Sequence, residues 1–212
     1  MNNPSHVIVY GAGGHAKVIL DILQLTKTAV AAVVDDDPAK WGESIVGYPI
    51  TDPNTQLPII SDRGIRQAVI AVGGNSTRAK IAETLIAKGF SFYTAVHPSA
   101  VIDRSVELGA GTVVMGGVVI NSETTIGSHG ILNTGCTVDH DCRLADFVHI
   151  SPGGHLGGNV AIGRETQVGI GASILPNVTI GPQTVVGGGA AVIEDLPGGV
   201  VAVGVPARII EK

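Results

Sequence analysis

The sequence predicts an α/β domain followed by a solenoid of short β-strands, and three observations point there. Apolar runs and amphipathic stretches alternate over residues 6–95; from Val96 to Val192 every sixth residue is aliphatic; and the chain of 212 residues carries 30 glycines against 3% aromatics. A core without large rings has to be thin and filled by Val, Ile, Leu and Ala. Such a composition suits a narrow, repeated interior.

The first domain is predicted over residues 1–95. "HVIVY" (6–10) reads as a strand, "GAGGHA" (11–16) as a turn, and "KVILDILQL" (17–25) as a helix with one buried face. "VAAVV" (30–34) is a second strand that ends at Asp35, Asp36 and Asp37. "AVIAVG" (68–73) leads through "GNSTR" into a helix over "AKIAETLIAKG" (79–89), which Gly89 stops. This alternation favours a parallel sheet. The glycine-rich turn is a partial dinucleotide fingerprint with Ala16 in the last glycine place. In it, Gly11 permits the turn, Gly13 lets a ligand approach the backbone, and the helix offers free N–H groups to an anion. A nicotinamide enzyme would use Asp35 or Asp36 to bind a ribose. The short domain has room for about one mononucleotide-binding half, so one nucleotide is the better fit.

The second domain is predicted over residues 96–212. Two places before each aliphatic, such as Ile120, Val138, Val168 and Ile174, stands a compact residue, here Val118, Cys136, Thr166 and Ala172. A period of six fits neither an amphipathic helix nor an ordinary hairpin, but it suits short strands joined by tight turns. Three strands close one eighteen-residue coil, and coils stacked at about 4.8 Å pair as parallel strands. Residues 96–192 then make about five to six coils. Glycine often follows the aliphatic, at Gly109, Gly127, Gly163, Gly169, Gly181 and Gly187, and glycine is expected to supply the turn conformations.

A net charge of −5 offers no broad electropositive surface, so nucleic acid is not an expected partner. No apolar run is long enough to span a bilayer, and the opening "MNNPSHVIVYGAGG" lacks a secretory signal, so a cytoplasmic protein without a membrane span is expected. The stretch "TVDHDCRLADFVHISPGGHL" (137–156) gathers His140, His149 and His155 beside Asp139, Asp141 and Asp146, with Cys136 and Cys142 near. A metal site, a base with its helper and decorated scaffold are the three readings. Coil arithmetic places Gly158 above His140 and Pro176 above that, Gln167 above His149, and His155 above Thr137. No histidine stacks on another, so no metal is expected, although a zinc site of the γ-type carbonic anhydrase kind is the alternative. Both cysteines occupy inward, packing places. His140 falls near a corner, under a glycine that leaves its ring uncovered. At a corner the Asp141 carboxylate can bend back to one ring nitrogen and leave the other to accept a proton.

"YGAGGHAKV", "DDDP", "AVGGNSTR", "HPSAVI", "LNTG", "VDHDC", "FVHISPG", "GGNV" and "GVPAR" occur in one order over nearly the whole chain. The combination resembles the hexapeptide-repeat sugar acetyltransferases of the PglD, PerB and NeuD type. That resemblance implies a left-handed parallel β-helix, an acetyl-CoA co-substrate, and a homotrimer with sites between adjacent prisms. It implies N-acetylation of a UDP- or GDP-linked 4-amino-4,6-dideoxy sugar, with O-acetylation of the sialic-acid type as the alternative. By the resemblance His140 is the general base and Asp141 its orienting acid. Gly13, His15, Asp35, Asp36, Gly74, Asn75 and Asn133 bind the nucleotide sugar. His149 lies near the acetyl group, the Gly158 N–H meets the thioester oxygen, and Arg208 reaches the CoA phosphates. A nicotinamide enzyme and a non-catalytic β-helical scaffold are the readings from other classes.

Overall fold

The computed structural model describes residues 6–210 and divides them into two compact units, one ending at Pro98 and one beginning at Ser99. The sequence sets the boundary three residues earlier. Ala95 and Val96 fit the six-residue repeat, but they pack against the first helix of the N-terminal unit, and Ala95 is fully buried.

The first unit runs β1 (His6–Tyr10), α1 (Gly14–Leu25), β2 (Ala29–Val34), β3 (Ser44–Ile45), β4 (Tyr48–Thr51), α2 (Pro53–Asp62), β5 (Gln67–Ile70), α3 (Asn75–Ala87) and β6 (Ser91–Phe92). The strand order is β3-β4-β2-β1-β5-β6, parallel except for the β3–β4 hairpin. Val7, Ile8 and Val9 are all fully buried, as befits a central strand covered on both faces. Ala16, Ile19, Leu20 and Leu23 form the buried stripe of α1. Both α1 and α3 begin a few residues before the sequence periodicity predicts, because Gly13 and Gly74 are extended caps from which the chain winds directly. The hairpin and α2 are additions to the predicted elements. Pro58 interrupts the apolar spacing of α2, yet a start signal is present: Asp52 accepts the Asn54 amide at 2.8 Å, and Pro53 occupies the first turn.

The second unit is a parallel β-helix of three ladders. One ladder climbs through Val113–Val114, Ile131–Leu132, His149–Ile150, Gln167–Val168 and Val185–Val186. The next contains Val101–Ile102, Val119–Ile120, Thr137–Val138, His155–Leu156, Ser173–Ile174 and Ala191–Val192. The third contains Glu107–Leu108, Thr125–Ile126, Arg143–Leu144, Ala161–Ile162 and Thr179–Ile180. Register between these neighbours is eighteen residues, as in Thr137 on His155. Val201–Val203 continues the first ladder, and Arg208–Ile210 closes it antiparallel.

The interior follows the repeat. From Val114 to Val192 the aliphatics are buried together with their small partners, including Cys136, Cys142 and Ala172. Inward threonines solve the polar accounting: the Thr166 hydroxyl donates to Gly181 O at 2.7 Å and accepts the Thr184 amide at 3.1 Å. Thr112, Thr124 and Thr184 donate in the same way to the carbonyls of Gly127, Asp139 and Pro197. The Cys142 thiol does likewise toward Gly157 O at 3.2 Å.

Glycine supplies part of the turn conformations, at Gly111, Gly117, Gly135, Gly153, Gly171 and Gly189. Left-handed backbone recurs every six residues from Gly111 to Gly189, three places after the inward aliphatic, and Glu123, His129, Asp141, Phe147, Asn159 and Asn177 adopt it among others. The glycines directly after the aliphatics have another reason. A Cβ on Gly169 would stand 2.6 Å from the carbonyl carbon of Gly187, and the same approach holds at Gly109, Gly163 and Gly181. Coils lie too close there for any side chain.

Candidate active site

In the first unit β1 is central, with β2 on one side and β5 on the other, so the crevice beyond the ends of β1 and β5 is the topological switch point. Gly11 has φ +108, and a Cβ there would stand 2.9 Å from Ala71 O. Gly13 caps α1 with open space around its Cα, and Gly74 caps α3. Two helix N-termini therefore border one crevice. His15 is half-buried in the first turn of α1.

The aspartates do different work. Asp35 is buried; its Oδ2 accepts the Ala12 amide at 2.6 Å and Lys40 Nζ at 3.0 Å, and its Oδ1 accepts the Asp37 amide at 2.9 Å. Burial pushes the Asp35 pKa up, but the Asp37 and Ala12 amides and Lys40 outweigh it and hold the carboxyl below its usual range. This carboxylate shapes the glycine turn. Asp36 is exposed and takes the Tyr10 hydroxyl at 2.7 Å. Burial, then the bond to Asp36, raises the Tyr10 pKa, so the phenol stays a donor. Tyr10 and Asp36 line a groove of about 330 Å³ with Asn54, Thr77, Lys80 and Thr84. Asn75 is engaged by Arg78, whose Nη2 donates to its Oδ1 at 2.9 Å while Nη1 donates to the carbonyls of Val72 and Gly73. Arg78 is 1% exposed, so a buried guanidinium shapes the turn before α3. Tyr10 and Arg78 escaped the sequence reading because their partners are set by the fold.

In the solenoid, Asp141 holds the corner with φ +61. There its Oδ2 bends back to His140 Nδ1 at 2.7 Å. Both side chains are more than half exposed, at 58% and 54%. The hydrogen bond His140 makes to Asp141 raises the His140 pKa, desolvation opposes it, and the charges of Asp139 and Asp141 add to the rise. Nε2 meets no partner among the described residues. Gly158 lies directly above: a Cβ there would come within 2.6 Å of Cε1 and 2.7 Å of Nε2. The Gly158 N–H likewise has no protein acceptor among the described residues.

Asn133 and His149 pair with each other, Nδ2 to Nε2 at 3.2 Å. They sit on the first ladder and its exit turn, whereas His140 stands where the second ladder turns into the third. One chain therefore places the expected residues on two different edges of its prism. Arg208 forms an ion pair with Glu194 at 3.1 Å. Cys136 and Cys142 face the interior, and burial pushes the Cys136 thiol up to about 12. Among the described residues, no three His, Cys, Asp or Glu side chains are grouped to hold a metal ion.

This architecture matches that of a histidine-to-asparagine variant of perosamine N-acetyltransferase from Caulobacter crescentus, solved with CoA and GDP-perosamine. The two share 41% identity and a TM-score of 0.94, over 100% of this chain and 99% of that one. The chain belongs to the hexapeptide-repeat sugar N-acetyltransferases of the PglD and PerB type. Residues 6–85 match the PglD N-terminal domain family. The acetyltransferase domain of PglB from Neisseria gonorrhoeae FA1090, solved with acetyl coenzyme A, is 36% identical with a TM-score of 0.90, over 98% of this chain and 100% of that one. UDP-N-acetylbacillosamine N-acetyltransferase of Bacillus subtilis (strain 168) is 39% identical over 116 residues, 52% of this chain and 51% of the relative.

As a member of this acetyltransferase family, the chain is an acyltransferase, and its solenoid is the left-handed parallel β-helix. The scaffold and nicotinamide readings give way to that membership. No helix among the described residues is long and apolar enough to cross a membrane.

Proposed function

We propose that this chain transfers an acetyl group from acetyl-CoA to the 4-amino group of a UDP- or GDP-linked 4-amino-4,6-dideoxy sugar, with His140 as general base. The observation that carries the reading is the exposed His140–Asp141 pair, bonded at 2.7 Å beneath a glycine. Asp141 keeps the proton on Nδ1, so Nε2 presents its lone pair to the substrate. The sugar nitrogen attacks the thioester carbonyl carbon while Nε2 takes a proton from that nitrogen. As the tetrahedral adduct collapses, the C–S bond breaks and the imidazolium returns its proton to the CoA thiolate. Direct transfer needs positioning and proton removal, with no covalent enzyme intermediate. In this reading the Gly158 N–H donates to the developing oxyanion.

Spacing along the prism edge supports the CoA assignment. Glu194, which pairs with Arg208, lies three coils above His140 on the same edge. That is a rise of about 14 Å, of the order of an extended pantetheine arm. Leu175 and Ile193, 43% and 48% exposed, supply apolar surface along the way. Arg208 then meets the CoA phosphates. In the first unit, Gly13, His15 and the α1 and α3 N-termini take the diphosphate, Asp36 and Asn75 lie beside it, and Asp35 and Gly74 hold the turns.

A homotrimer completes the centre. Because Asn133 and His149 occupy a different edge from His140, a neighbouring copy brings them to the sugar and acetyl group. The reading sets this reaction in the cytoplasm.

The test is CoA release from acetyl-CoA over a panel of GDP-, UDP- and dTDP-linked 4-amino sugars, with free sialic acid included. Turnover of a nucleotide-linked amine is expected. Turnover of sialic acid alone would replace the amine reading by the O-acetyl alternative.

A further inference from the structure

His140 stands between two carboxylates that hold different parts of it. Asp141 takes the ring; Asp139 takes the backbone, its Oδ1 accepting the His140 amide at 2.9 Å. The same oxygen accepts from Asn121 Nδ2, one coil below, at 2.8 Å. Thr124 of that coil also donates its hydroxyl to the Asp139 carbonyl at 2.9 Å. Residue 139 is thus tied at both its side chain and its backbone just before the chain enters the left-handed corner at Asp141. The imidazole leaves the corner from a peptide whose amide is already engaged.

We propose that Asn121 and Asp139 are positioning residues for the His140 base. Asn121 aims the Asp139 carboxylate, and Asp139 pins the His140 amide so that the ring meets Asp141 on one side and leaves Nε2 open on the other. The proposal rests on the reading of His140 as base. Its competitor is a structural polar ladder of the kind Asn159 and Asn177 make at 2.9 Å on other coils. Two features separate the pairs: Asp139 is charged, and it touches the histidine.

The groups facing His140 can be named. Its own turn brings Asp139 and Asp141, with the Cys142 thiol turned inward; the coil below brings Asn121, Ser122 and Glu123 at the same corner; the coil above brings Gly157, Gly158 and Asn159, which carry no charge. The Asn121 and His140 donors hold the Asp139 carboxyl below its ordinary range, so it stays charged while His140 titrates. Its charge favours imidazolium.

Asp139→Asn keeps an oxygen for both donors and removes only the charge. With acetyl-CoA saturating, the acid limb of kcat/KM for the amino sugar is expected to move to lower pH. The His140 ring proton followed by NMR is expected to titrate at lower pH as well. Asn121→Ala frees the carboxylate and Asp139→Ala removes the anchor; kcat is expected to fall about ten- to a hundredfold with the acetyl-CoA KM unchanged. Alanine variants that lower Tm while kcat stays, or an Asp139→Asn variant that loses as much kcat as Asp139→Ala, would overturn the proposal. His140→Ala run alongside separates the two claims. If it loses activity while the alanine variants of Asn121 and Asp139 keep kcat, only the positioning role fails; if it keeps the wild-type rate and limb, the base reading fails and this proposal with it.

Discussion

At Gly158 a single methyl group has a defined consequence. The space above the His140 ring is occupied at 2.6 Å by any added Cβ, so Gly158→Ala displaces the imidazole by a large fraction of an ångström. A loss of kcat on the order of 10²-fold is expected, with melting temperature followed to confirm that the coil survives. Asp141→Asn tests the orienting bond. On the proposed mechanism His140 works in its neutral form, so activity is expected to fall as pH drops through its pKa. Asp141 is the largest cause of the raised value, so its loss moves the acid limb of kcat/KM to lower pH. The rate also falls, about tenfold or more, since the tautomer is no longer held. This dyad was legible because stacking by eighteen residues places a glycine over His140 and a corner after it. The Asn121 bond to Asp139 and the Arg78 bonds to its own turn were not, since they depend on side-chain angles that repeat arithmetic does not specify. Asp35 illustrates the same limit: its position at a strand end was readable, its full set of protein donors was not.

At the scale of the element, two kinds of solenoid glycine are distinguishable by stability. Gly169→Ala forces a Cβ to 2.6 Å from the backbone of the next coil and is expected to cost about 1–3 kcal/mol or more. Glu123 pays for a left-handed corner with φ +56, so Glu123→Gly relieves strain, loses chain entropy, and changes stability by less than about 1 kcal/mol. Denaturant titration of both checks the order. Thr166→Val leaves the Gly181 carbonyl and the Thr184 amide without their buried partner and is expected to cost about 1–3 kcal/mol. The inward repeat was readable because one aliphatic and one compact residue recur without a break. Which glycine answers which demand was not, because composition shows where side chains are missing and gives no dihedral angle. Helix α2 was hidden by Pro58, although the Asp52–Pro53 pair carried a start signal.

For the whole molecule, the proposed trimer, in which a neighbouring copy brings Asn133 and His149 to His140, has each reaction centre draw on two chains. Two impaired variants, His140→Ala and Asn133→Ala, would then complement each other when unfolded together and refolded. In randomly mixed trimers about a quarter of the centres combine an intact histidine with an intact asparagine, so activity is expected to rise to about a quarter of wild type. Mixtures no more active than the parents would place all these groups in one chain's site or remove Asn133 from it. The most direct measurement is kcat/KM from pH 5 to 9 for the wild type and His140→Ala, with acetyl-CoA and a nucleotide-linked 4-amino sugar. The wild type is expected to lose activity on the acid side as His140 gains its proton, and the variant to fall about 10²–10⁴-fold and lack that limb. A variant with the wild-type rate and the same acid limb would contradict the assignment of the base.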